Sequence, residues 1–165
     1  MGWFNKKQPS EPSPVALDEV RPISTERMAL LFDTEGWHWR IDDDGDLGGM
    51  WDGSMFYFRL TGKDKEVLNI VSFMKGTYPR ELRSDLLNHI EDWHRTKLWP
   101  KGYFREVPGD RLQVMAEVNV DYEHGATDAQ LMQNFRCALG TTLQFFTSIT
   151  EQFGAAEEAE KPEGE

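Results

Sequence analysis

The densest group of chemistry-bearing side chains in this sequence is the run Asp42-Asp43-Asp44-Gly45-Asp46, whose carboxylates are the hard oxygen ligands that calcium or magnesium selects. Setting Gly45 at the sixth place of a calcium loop puts Asp42 and Asp44 at the third and fifth. Arg40 then falls at the first ligand position and Trp51 at the twelfth, where a bidentate glutamate is needed. The register fails, and the run reads as a hairpin turn, where Asp and Gly are favoured for backbone reasons. Of the histidines, His89 and His94 are closest in sequence, but five positions set them about 140° apart around a helix at 3.6 residues per turn. They do not share a metal. With no His-Glu-x-x-His or Cys-x-x-Cys spacing either, no metal ligand set and no cofactor is expected.

Cys137, the single cysteine, lies between Arg136 and Ala138 in the middle of a helical pattern, where a small buried apolar residue is the better reading than a nucleophile. Gly48-Gly49 has no following Gly-Lys-Ser/Thr and marks a strand irregularity or bulge, not a phosphate loop. No pair of groups has the spacing of an acid and a base, so no catalytic residue is assigned and the chain is read as a non-enzyme, with a small-molecule or metal-dependent enzyme as the alternative. Lys97, Lys101, Arg105 and Arg111, interleaved with Trp99, Tyr103 and Phe104, form a basic-aromatic patch of the kind that binds single strands. A formal charge of -11, from 18 basic against 29 acidic residues, repels phosphate and anionic lipid, so neither nucleic acid nor a membrane is the expected partner.

What could position a binding surface follows from periodicity. A first helix begins at the N-cap Ser24, carries Met28, Leu31 and Phe32 on one face and stops at Gly36. Trp37, Trp39 and Ile41 alternate with His38, Arg40 and Asp42 as on a strand, and Met55 to Leu60 and Val67 to Phe73 are strands across a turn. Pro79 opens a second helix, with Leu82, Leu86, Ile90 and Trp93 at helical spacing until Pro100. Gly102 to Val107 and Arg111 to Tyr122 form a hairpin whose second arm alternates strictly. Thr127 and Gln130 make a capping box before a long amphipathic helix through Phe153. The order is α-β-β-β-α-β-β-α, an α+β domain with an antiparallel sheet packed against helices.

With 165 residues, 39% hydrophobic and 12% aromatic, the chain can fill one core but not two. Trp37, Trp39, Trp51, Phe56, Phe58, Trp93 and Trp99 are expected there, the alternative being that some of them line a groove for a partner. Trp93 and Trp99, around the second helix, are the residues chosen to receive an apolar segment of a protein partner. Residues 1–20 read as a flexible leader, proline-rich between Gln8 and Pro14, and residues 154–165, with five Glu against one Lys, as a solvated acidic tail. Removing Met1 to Ser13 together with Gly154 to Glu165 is expected to leave the fold intact. The lone cysteine and the lack of a signal-like or ~18-residue apolar run point to the cytoplasm.

The run from Trp99 to Phe104, the run from Ala116 to Gly125, the run from Thr127 to Leu131, and Cys137-Ala138-Leu139-Gly140-Thr141-Thr142-Leu143-Gln144-Phe145-Phe146 together resemble the bacterial YbjN family, over roughly Ser24 to Phe153. The resemblance implies a fold like that of type III secretion chaperones and the role of a sensory-transduction regulator, with no catalytic motif. Those chaperones are dimeric, and an open sheet needs a covered face or edge, so a homodimer is expected. From the failed calcium register, elemental analysis after mild purification is expected to find no stoichiometric divalent metal.

Overall fold

A computed structural model describes residues 19–158, so the leader up to Asp18 and the tail from Ala159 lie outside the described residues. The first helix, α1 (Thr25–Glu35), is capped as its sequence demands: Ser24 Oγ accepts the Arg27 N–H at 3.2 Å, and Gly36 adopts φ 68. The chain leaves it through a Trp37 N–H bonded to the Phe32 carbonyl at 2.9 Å and a Trp39 indole bonded to Asp33 at 2.8 Å. These bonds hold residues 37–39 to the helix end, and the strand expected there shrinks to β1 (Arg40–Ile41). Asp42 then accepts the N–H groups of Asp44 and Asp46 at 3.0 and 2.9 Å, spending its carboxylate on the turn.

A strand that the expected order lacked, β2 (Leu47–Trp51), follows and pairs with β3 (Ser54–Thr61) from Leu47↔Phe58 to Trp51↔Ser54 without a skipped residue. The expected bulge at Gly48-Gly49 is therefore absent. The glycines serve close approach instead: Gly48 lies under the Tyr57 ring on one face, and Gly49 faces the Trp51 ring on the other. β4 (Val67–Phe73) pairs with β3 and with β7 (Arg111–Asp121), whose far side carries β6 (Lys101–Val107). β5 (Tyr78–Pro79) continues the β4 side of β7 at Leu112 and Arg111. Pro79, expected as the first helical residue, thus sits in a short strand, and a 3-10 turn (Arg80–Leu82) intervenes before α2 (Arg83–Thr96). The capping box forms as read: Thr127 Oγ1 accepts from Gln130 N at 3.1 Å and Gln130 Oε1 from Thr127 N at 2.9 Å, opening α3 (Asp128–Phe153).

All the pairings make one antiparallel sheet of seven strands, and α1, α2 and α3 pack on the same side of it. One core gathers Met28, Phe32, Phe56, Phe58, Ile70 and Phe135 with Trp37, Trp39 and Trp51 around it. The other gathers Leu86, Ile90, Leu112, Val114, Phe145 and Ile149. The long helix crosses both, which is why its apolar stripe runs from Leu131 to Ile149. Cys137, expected buried, is half-buried.

Gly154–Glu158, expected as the start of a solvated tail, is held instead. Tyr78 donates its hydroxyl to the Gly154 carbonyl at 2.8 Å, and Glu157 exchanges backbone bonds with Thr77 at 2.9 and 3.1 Å. Its carboxylate lies 2.8 Å from Arg111. Thr77, beside β5, offers its backbone groups, and Glu157 satisfies both. No described helix is long and apolar enough to cross a membrane.

A β-carbon on Gly49 would stand 2.6 Å from the Trp51 ring and 2.9 Å from the His38 carbonyl. Gly49→Ala is therefore expected to cost roughly 1–3 kcal/mol, as overpacking does. Thermal melting checks it, at roughly 2–4 °C lost per kcal/mol for a chain of this size.

Candidate functional site: the open face of the sheet

Because side chains alternate across a strand, every second residue of β3, β4, β6 and β7 points away from the helices. On that face the register sets Tyr57 beside Val71 and Met55 beside Phe73, and places Tyr103 across from Met115. Val71 and Met115 are 4% and 6% exposed although they belong to neither core, because the large residues around them cover them. Tyr57 and Phe73 meet edge to face with centroids 6.1 Å apart. Cations lie over the rings: Arg59 on Tyr57 at 5.2 Å, Arg105 on Phe73 at 5.2 Å and Lys101 on Tyr103 at 5.5 Å. Met50, at the margin, is 62% exposed.

The polar positions of β7 complete the face. Glu117 accepts from Asn69 at 2.9 Å and from Asn119 at 2.7 Å, and meets Lys101 at 2.9 Å. Burial pushes its carboxyl up, but the Asn119 amide, the Lys101 ammonium and the Tyr103 hydroxyl outweigh that, and the net shift is downward. Burial first, and Glu117 second, push the Tyr103 hydroxyl up. The result is an aromatic and methionine surface with organised charges and no helix over it among the described residues.

The residues singled out from sequence lie elsewhere or divide. Trp93 is half-buried with its ring 5.3 Å from Phe145, and its indole donates to the Trp99 carbonyl at 3.2 Å, so the structure does bring the pair together. Trp99 is 48% exposed and Leu98 85%, which makes a small apolar corner before β6. Of the basic-aromatic patch, Lys101, Tyr103, Arg105 and Arg111 alternate onto the open face while Phe104 turns to the helices. Lys97 lies over Trp93 at 5.8 Å. His94 Nε2 accepts the Gly102 N–H at 2.9 Å, a structural task.

One contact that the sequence did not announce has catalytic form: His89 Nε2 lies 2.9 Å from Ser148 Oγ. Ser148, however, donates its hydroxyl to the Phe145 carbonyl at 2.7 Å. The Phe145 carbonyl competes with His89 for the single hydroxyl proton, and the tautomer of His89 decides the direction of their contact. Among the described residues no three of His, Cys, Asp and Glu gather as metal ligands. The open face itself had a signal in the sequence, the strict alternation of Arg111 to Asp121, whose odd positions carry Gln113, Met115, Glu117 and Asn119.

The lowered Glu117 carboxyl has a pH consequence. A carboxyl held below its ordinary 4.5 contributes stability that is present above that pH and is lost as pH falls through the lowered value. Glu117→Gln is therefore expected to melt below the wild type at pH 7 by about a degree or two, screening keeping the effect small. The gap is expected to narrow as pH falls below 4.5, as calorimetry on either side of that pH would read.

No curated protein matches the chain. Among solved structures, that of YbjN, "a putative transcription regulator" from E. coli, superposes with a TM-score of 0.70 at 10% identity, covering 81% of this chain and 96% of that one. An uncharacterized protein from Methanothermobacter thermautotrophicus superposes with a TM-score of 0.56 at 14% identity, covering 80% of this chain and 100% of that one. At such identities the likeness is one of fold. The sequence model of the YbjN family, described as "putative bacterial sensory transduction regulator", matches residues 24–151. That span includes both cores and the whole open face, and this chain belongs to the YbjN family.

Proposed function

We propose that this chain is a non-catalytic protein-interaction module, regulatory or chaperone-like, that receives a partly apolar segment of a partner protein on the open face of its sheet. The observation that carries the reading is one-sidedness: three helices pack on one face, and the other presents Tyr57, Phe73 and Tyr103 under cations. Rigid rings and methionines on a flat scaffold offer contact area at low entropic cost, which is what a binding surface needs. The family description, a regulator, accords with it. The enzyme alternative has one contact of catalytic form, His89–Ser148, and there the Phe145 carbonyl competes for the serine proton.

Trp93 and Trp99 belong to the proposal as a lesser element. Trp99 stands two residues before Lys101 of the open face and, with Leu98, extends the surface around the end of β6. A cytoplasmic address is part of the same reading, as is a homodimer of the kind type III secretion chaperones form. Light scattering at micromolar concentration decides the latter: a mass that stays near the 19.1 kDa of one chain would sink it.

The function itself is tested with the full chain as bait in extract of the native cell. Tyr57→Ala with Phe73→Ala is expected to lose the captured partner while costing stability by roughly 1–3 kcal/mol, because both rings are only half-buried. Trp99→Ala is expected to weaken capture less. Capture unchanged by the double variant would refute the open face as the binding surface.

A further inference from the structure

Among the described residues β6 is an edge strand that pairs only with β7. The direction of its amides can be read from one bond: the Gly102 N–H points away from β7, because His94 Nε2 accepts it at 2.9 Å. In an antiparallel ladder alternate residues aim their N–H and C=O groups to the same side. The groups of Phe104 and Glu106, two and four residues on, therefore also point outward. No backbone or side-chain bond takes them among the described residues. They form a short template for another strand.

Around that template Lys101, Arg105, Arg80 and Arg83 stand against the carboxylates of Glu106, Glu117 and Asp110, and the cation left over is Arg105. On the open face Lys101 and Arg105 flank it, and Arg105 has no carboxylate partner among the described residues. On the helix side Arg80 and Arg83 approach Glu106 at 3.6 and 3.7 Å, and Arg83 lies over the Phe104 ring at 5.6 Å. In a chain of net charge -11, this edge thus keeps one cation, Arg105, that no carboxylate among the described residues compensates. A nearby contact illustrates what such an edge accepts: the acidic backbone at Glu157 pairs with Thr77 and sets its carboxylate on Arg111 at 2.8 Å.

We propose that the β6 edge takes an acidic, extended segment of a partner protein as an eighth strand, with acidic side chains set beside Lys101 and Arg105. The main-chain bonds go to Phe104 and Glu106, and charge selects the segment. The inference rests on the interaction-module reading but not on the Tyr57 and Phe73 surface. A second copy of β6 is disfavoured as the occupant, because symmetric pairing brings Lys101 and Arg105 against an open face that also carries Lys101 and Arg105. A nucleic acid has no strand amides to offer the template.

The test uses the full chain and fluorescein-labelled eight-residue peptides. A peptide alternating Glu and Val is expected to bind, more weakly as salt rises, and at least tenfold more tightly than one alternating Lys and Val. N-methylation of its alternate amides is expected to weaken it at least tenfold, since it blocks the strand bonds. R105E, checked for fold by circular dichroism, is expected to do the same; should that variant unfold, the salt and N-methyl series on the wild type still decide. Equal binding of the Lys peptide overturns charge selection, and indifference to N-methylation overturns strand addition. Preference for oligo-dT overturns the partner class, and a chain that dimerises and loses the dimer in R105E assigns the edge to a second copy. A chain ending at Glu158 that binds the Glu peptide where the full chain does not shows the edge already filled by residues 159–165, and overturns the partner as its occupant. Failure of all peptides while the Tyr57 and Phe73 variants still lose the captured partner refutes the edge and leaves the open-face function standing.

Discussion

Phe145 of α3 lies against the bare backbone of Gly102, so close that a β-carbon there would stand 2.4 Å from the ring. The same glycine gives its N–H to His94 of α2, and the Trp93 ring packs on Phe145 from α2 as well. One residue without a side chain thus lets two helices and the edge strand meet. α3 can then lie across the sheet and bury apolar residues in both cores at once, from Leu131 and Phe135 to Phe145 and Ile149. Since the second core is anchored at this junction, the position of α2 and the course of β6 depend on it.

A helix that spans one face leaves the other to solvent, and an antiparallel sheet tolerates this when its outward positions are polar or shielded. Here the shielding is done by long side chains. Arg59, Lys101 and Arg105 lie over the rings they neighbour, so that apolar carbon is covered while charge stays in water. Glu117 ties the centre together through Asn69, Asn119 and Lys101. Such a surface keeps its apolar carbon covered, and in the proposed function a partner takes the place of the cation cover.

Charge acts at two scales. The net charge of -11 gives the molecule a negative field at long range. Locally the β6–β7 hairpin gathers Lys101, Arg105 and Arg111, with Arg80 and Arg83 close by. Screening confines such local charge to about 8–10 Å at physiological salt, so these cations act mainly on what lies directly on the hairpin, where Glu106 and Glu117 already stand beside them.

The sequence by itself determined what depends on neighbours along the chain. Ser24 and Gly36 bound the first helix, Thr127 and Gln130 opened the last, and the alternation from Leu112 to Val120 set the longest strand, because caps and strand faces are local properties of a few residues. β2 was not legible, since Gly48 and Gly49 carry no periodic signal and owe their place to the rings of Tyr57 and Trp51. Trp93 and Trp99 were legible as aromatic and adjacent to a helix, but not as unequal, one packed on Phe145 and the other half in solvent. That Tyr57, Phe73 and Tyr103 share one uncovered face was decided only by tertiary structure. Strand order and the side on which the helices settle depend on residues far apart in sequence, and no local pattern records which face a helix will cover.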